Sequence, residues 1–158
     1  MSLEEFKKMD ASTLPISKLI SMIARGHTIY LNHNLKDLGI NSSQLHLLFE
    51  ISHKNNINQE EIASRCNFNK GAVARSIKKL EDKNLIVREI DEENRRQKKV
   101  SLTEDGKKTL NEAVKLLKNW ESEVFNKDLI ERELLQKVLK DMAIKTIELN
   151  NSGVCGDE

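Results

Sequence analysis

The stretch KGAVARSIKKLED, residues 70–82, carries Lys70, Arg75, Lys78 and Lys79, with the small residues Gly71, Ala72 and Ala74 among them. Further on, the run EENRRQKKV gathers Asn94, Arg95, Arg96 and Lys98 at one tip. Ammonium and guanidinium groups donate hydrogen bonds and accept none, so they suit phosphate oxygens and the acceptor edge of guanine. That chemistry is contact with a polyanion, not bond making. The four histidines, His27, His33, His46 and His53, show no HExxH-like or Cys/His ligand spacing, and no glycine-rich phosphate loop occurs. No metal, no cofactor and no enzymatic reaction is therefore expected.

The net charge of +1 hides the pattern that matters. Residues 1–64 carry a charge of −1, residues 65–108 carry +5 and residues 109–158 carry −3. A basic centre between mildly acidic flanks fits a protein that meets a polyanion with one face. With 38% apolar and 32% charged residues in 158, and a single proline, the chain reads as globular and helix-rich. Aromatic residues make up only 4%, so aliphatic side chains must fill the core. No apolar run is long enough to span a membrane and the N-terminus lacks a signal-peptide centre, so a cytoplasmic protein is expected. Two cysteines, Cys66 and Cys155, do not point to a disulfide framework; Cys66 reads as an apolar-packed thiol and Cys155 as an inert tail thiol, against the sharper reading of a redox sensor.

These cations need elements to hold them. Pro15 opens a long helix whose seam is Ile16, Ile20, Ile23, His27 and Tyr30, ending near Gly39. Asn41 with Gln44, Asn58 with Glu61, and Asn69 each read as N-caps of following helices. The spacing of Val73, Ile77 and Leu80 predicts a helix over 70–82 that buries that face and leaves the cations outside. Asn84 suits the left-handed ending of that helix, 85–90 reads as a strand, and KKVSLT, with Val100 and Leu102 pointing one way, pairs with it as a hairpin. Thr103 then caps a helix carrying Glu104 and Asp105 in its first turn and a stripe of Leu110, Val114, Leu117, Trp120 or Glu121, and Val124. A last helix is expected over about 129–149, and 151–158 as a disordered tail. The terminal helices expose apolar stripes that a second copy of the chain would cover.

Helix, short helix, turn, helix and hairpin make a winged helix-turn-helix: residues 57–83 form the helix-turn-helix and residues 92–97 the wing. A helix fits the major groove and its N-terminal residues meet base edges. Lys70 and Arg75 are the expected base or nearby phosphate contacts, Gly71, Ala72 and Ala74 permit close approach, and Arg65, Lys78 and Lys79 serve phosphates. Lysines on an amphipathic helix are ordinarily just a solvated face. Here the coupled hairpin and the confined basic excess favour the functional reading.

Over residues 14–149 the sequence resembles the MarR family of transcription regulators, most specifically in NQEEIASRCNFNKGAVARSIKKLEDKNLIVREIDEENRRQKKVSLTEDG. Leu80, Glu81 and Lys83 match the family's helix end, Arg88 its strand arginine, and Leu102, Thr103 and Gly106 its closing motif. Asn84 stands where the family has glycine, and Asn94 where it has the wing aspartate, two residues before Arg96. Asn94 offers Arg96 a neutral partner, so a looser wing is expected. The resemblance implies a mostly α (α+β) fold, a winged helix-turn-helix with N- and C-terminal dimerisation helices. It divides the chain into residues 1–38 for dimerisation, 39–108 for DNA binding and 109–150 for dimerisation. It implies a homodimer on a pseudo-palindromic double-stranded operator, with the wing arginine in the minor groove, more in the manner of a repressor. The DNA-contact set is Arg65, Lys70, Gly71, Ala72, Ala74, Arg75, Lys78, Lys79, Arg88, Asn94, Arg95, Arg96 and Lys98.

A small-molecule effector is a further expected partner. Arg25, His27, Tyr30 and His33 combine a cation with rings and would suit an aromatic carboxylate, against the blander reading that they pack or cap the dimer interface. The alternatives are a winged helix used for protein contacts, which should lack the concentrated positive charge, and a metal- or redox-responsive regulator.

Overall fold

Asparagine opens three consecutive helices in the computed structural model, which describes residues 2–54, 56–66, 69–92 and 98–153. Asn41 Oδ1 accepts the Gln44 amide at 2.9 Å while Gln44 Oε1 accepts the Asn41 amide at 3.1 Å, a reciprocal cap that starts α3, Ser42–His53. Asn58 and Glu61 repeat it at the start of α4, Gln59–Cys66, with amide contacts of 2.8 and 3.3 Å. Asn69 Oδ1 accepts from the amides of Gly71 and Ala72 to start α5, Lys70–Asp82. Each such cap stabilises its helix by about 1 kcal/mol.

Before them lie a short α1, Leu3–Lys7, held by a Ser2/Glu5 cap, and the long α2, Ile16–Asn34. α1 was not expected: five residues give too little periodicity to see. α2 passes into a 3-10 turn, Leu35–Leu38, and stops at Gly39, whose φ of +68° is the left-handed region glycine enters without strain. Pro15 is the N-cap itself, one place outside the first turn.

The hairpin pairs β2, Ile86–Ile90, with β3, Lys98–Leu102, in antiparallel register from Ile86 opposite Leu102 to Ile90 opposite Lys98. An unexpected third strand, β1, Ile57–Asn58, adds to the other side of β3, with Ile57 opposite Val100. Its two residues are too few to alternate visibly, but they seat the start of α4 on the sheet. The core gathers Leu35, Leu48, Ile51, Ile57, Ile62, Val73, Ile77, Leu80 and Val100, all fully buried. Aliphatic side chains do fill it, as the low aromatic content requires.

Asn84, at φ +56°, ends α5 in the left-handed conformation. After the hairpin comes α6, Glu104–Val124, which Thr103 caps by accepting the Gly106 amide at 3.0 Å. The same Thr103 hydroxyl donates to the Asn84 carbonyl at 2.6 Å, and the Thr103 amide donates to the Leu85 carbonyl at 3.1 Å. A Cβ at Gly106 would lie 3.0 Å from the Leu85 carbonyl carbon and closer still to its oxygen.

The chain divides into two compact units, Met1–Trp120 and Glu121–Glu158. In the second, α7 runs Arg132–Gly153. It begins three residues after the expected Leu129, which lies in a turn whose amide bonds the Asn126 carbonyl. It also extends over residues 151–153, part of the expected tail; residues 154–158 lie outside the described residues. Leu134, Val138, Leu139, Ile144 and Ile147 are exposed along it, as are Ile16, Ile20, Ile23 and Ile29 along α2. Among the described residues no helix is long and apolar enough to cross a membrane.

Gly106→Ala is expected to lower stability by about 2–4 kcal/mol, because the Leu85 carbonyl is already bonded to Thr103 and cannot retreat. Thermal melting followed by circular dichroism checks this, and an unchanged midpoint would remove the close approach as a constraint.

Candidate nucleic-acid interface

Burial of Val73, Ile77 and Leu80 turns the opposite face of α5 outward, so Lys70, Gly71, Arg75, Lys78 and Lys79 are exposed and Ala72 and Ala74 half-buried. The neutral Asn69 cap satisfies the first amides without placing a carboxylate at the helix start. The Arg75 guanidinium lies 3.5 Å from where a Cβ on Gly71 would stand, so it lies along the first turn in space that glycine leaves open.

The cations are not equally free. Lys70 faces Glu60 of α4 at 3.7 Å, Lys78 faces Asp82 at 3.3 Å, and Arg65 reaches back to Glu50 of α3 at 3.5 Å. Such exposed pairs contribute about 0–1 kcal/mol each and yield readily to a stronger anion. Arg75 and Lys79 have no acidic partner among the described residues. Lys98 is exposed at the start of β3. Asn94, Arg95 and Arg96 lie outside the described residues.

Arg88 stands apart. It sits opposite the fully buried Val100, is about one quarter exposed, and its guanidinium is hydrogen-bonded to Glu81 in the last turn of α5. The Arg88 hydrogen bond holds the Glu81 carboxyl below its usual range, and the same bond raises Arg88. Sequence reasoning missed this partner because no fixed spacing relates a helix end to a strand beyond a turn. It also missed the Lys83 ammonium donating to the Gly39 carbonyl, and the Lys99–Asp91 pair at 2.9 Å beside the hairpin tip. Glu61 does double duty: the Lys54 ammonium, and after it the Asn58 amide, hold its carboxyl below the ordinary value.

Of the four effector candidates, Arg25 and His33 are exposed, while His27 and Tyr30 are half-buried. His27 meets the Trp120 ring, with centroids 4.4 Å apart and planes tilted by 51°. No hydrogen bond or ring contact ties Arg25, Tyr30 or His33 to His27 among the described residues. Trp120 is one option in the apolar stripe expected of α6, and a helical period on α6 alone does not reveal a ring on α2 as its neighbour. His53 Nδ1 lies 2.7 Å from the Phe49 carbonyl, a local bond within α3. Cys66 is buried among the core, and that burial, with Glu50 second, pushes its thiol up to about 11.

The MarR family model matches residues 40–98. YybA of Bacillus subtilis, an HTH-type transcriptional regulator, is 38% identical over 93 residues, 59% of this chain and 62% of YybA, so the match spans less than two thirds of that protein. SarZ of Staphylococcus epidermidis, also an HTH-type transcriptional regulator, is 30% identical over 108 residues, 68% of this chain and 70% of SarZ. The crystal structure of a MarR transcriptional regulator from Methanosarcina mazei is 31% identical, covers 85% of this chain and 97% of that one, and superposes with a TM-score of 0.76.

With its pKa raised, Cys66 favours the folded state below its ordinary value of 9.0, and that contribution is lost as pH rises through about 11. In a Cys155→Ser variant the remaining thiol should therefore resist iodoacetamide at pH 8 in the native state and react in denaturant. Rapid native alkylation, read by mass spectrometry, would contradict the buried placement.

Proposed function

The chain belongs to the MarR family of transcription regulators, and from that premise we propose that it reads double-stranded DNA by laying α5 in the major groove with the hairpin beside it. The observation that carries the reading is the outward face of α5: Arg75 and Lys79 exposed without an acidic partner among the described residues, over a surface kept low by Gly71, Ala72 and Ala74. Arg75, near the helix start, suits a base edge, where a bidentate guanidinium distinguishes guanine. Lys70, Lys78, Lys79 and Arg65 suit phosphates, exchanging weak surface pairs for contacts that release counterions. Lys98, exposed at the start of β3, adds a cation to the same interface, and Asn94, Arg95 and Arg96 are the further contacts that the sequence offers.

In this reading the protein is a dimeric repressor in the cytoplasm, acting on a pseudo-palindromic operator. The dimer is supported by apolar side chains exposed on α2 and on α7, taken separately, which water would otherwise contact. Two copies related by a two-fold axis would set two α5 helices about one turn of DNA apart. The His27–Trp120 ring pair supports an effector reading, with aromatic carboxylate as the class: flat rings offer stacking, and Arg25 nearby in sequence offers charge.

Arg75→Ala should cost about 1–3 kcal/mol on a selected duplex and less on random DNA, so discrimination falls; a parallel loss on both would reduce Arg75 to a phosphate contact. Sedimentation at micromolar concentration should give twice the 18.1 kDa chain mass, and a mass at the single value rejects the dimer. Benzoate should change the fluorescence of Trp120, the single tryptophan, saturably in the wild type and not in His27→Ala. A linear response in both would remove that effector site.

A further inference from the structure

Arg88 is ill placed for a groove contact. Residues directly opposite in an antiparallel pair share a face, and the partner of Arg88 is Val100, fully buried. The guanidinium is spent on Glu81, the two side chains being 24% and 32% exposed, and Nε of Arg88 is buried with no hydrogen-bond partner among the described residues. Packing alone does not account for this, since methionine would fill the space without leaving a donor unsatisfied. Glu81 lies in the last turn of α5 and Arg88 centres β2, so one charge-assisted bond spans the turn that joins helix to hairpin.

We propose that the Glu81–Arg88 pair is a strut setting the angle between α5 and the hairpin, and that Arg88 is a positioning residue for sequence discrimination rather than a DNA contact. This rests on the DNA-binding reading above. Base-reading and phosphate-binding groups that sit on two elements gain from being held in one relative orientation before DNA arrives, because less freedom is lost on binding. Random DNA, bound through phosphates alone, depends far less on that angle.

The test uses the full chain, a duplex selected from a random library by the wild type, and a scrambled duplex of equal composition. Glu81→Gln and Arg88→Gln should each lower discrimination about five- to tenfold, with scrambled-duplex affinity and the salt slope unchanged. Arg88→Lys should recover part of it. A contact role predicts otherwise: Arg88→Gln would weaken both duplexes alike and reduce the slope by about 1, and Glu81→Gln, removing negative charge beside phosphates, would strengthen both. Either pattern overturns the strut. The pair is also read without DNA, since melting losses of the two variants should be non-additive in the double variant, and additive losses overturn the pairing. A wild type that enriches no duplex fails the DNA reading, while the melting cycle still decides the pair.

Discussion

The winged unit depends on one close approach, the first turn of α6 against the carbonyl of Leu85. Gly106 makes room for it, the Thr103 amide bonds that carbonyl, and the Thr103 hydroxyl joins the Asn84 carbonyl to the Gly106 amide. Four elements therefore meet at one point: the end of α5, the start of β2, the end of β3 and the start of α6. None can slide without breaking a bond or forcing a clash, and close-packed interiors answer such pressure by rearranging, not by stretching. Lys83, one residue before Asn84, extends the same junction to the Gly39 carbonyl where α2 gives way to α3.

Much of this was legible in the chain because the signals were local. An asparagine followed three residues later by glutamine or glutamate marks a helix start with its own mechanism, and Asn41 and Asn58 both close the reciprocal cap it foretells. Asn84 was readable as a left-handed helix end for the same reason, a side chain tolerant of positive φ. What escaped was short or distant. β1 has two residues, too few for a period, and its identity comes from Val100, more than forty positions away. α7 starts at Arg132 and not at Leu129 because the turn bonded from Leu129 to Asn126 intervenes, and an apolar residue in a turn looks like one in a helix.

The candidate interface divides along the same line. Which cations face outward on α5 followed from the spacing of Val73, Ile77 and Leu80, and the exposed set agrees. Which of them are already paired did not, because Glu60, Glu50 and Glu81 approach Lys70, Arg65 and Arg88 from other elements. Arg88 is the instructive case. Its match to the family's strand arginine put it in the expected contact set, and the structure adds a neighbour that no linear pattern shows, since it stands opposite Val100 and bonds Glu81 of α5. Tertiary pairing, invisible to a linear pattern, decides which of these cations already have an acidic neighbour.

The strand order β1-β3-β2 has one more consequence, for the company this sheet keeps. Its outer strands carry unpaired backbone groups, which in a long flat strand would template addition of a foreign strand. β1 is only two residues long and runs at once into α4; β2 is five residues long and carries Arg88 and Glu89 in its middle. Both edges are thus too short or too charged to recruit another chain, even though Val87 and Ile90 stand exposed on β2. Self-association by sheet extension, the usual hazard of a small exposed hairpin, is blunted by the way the strands end.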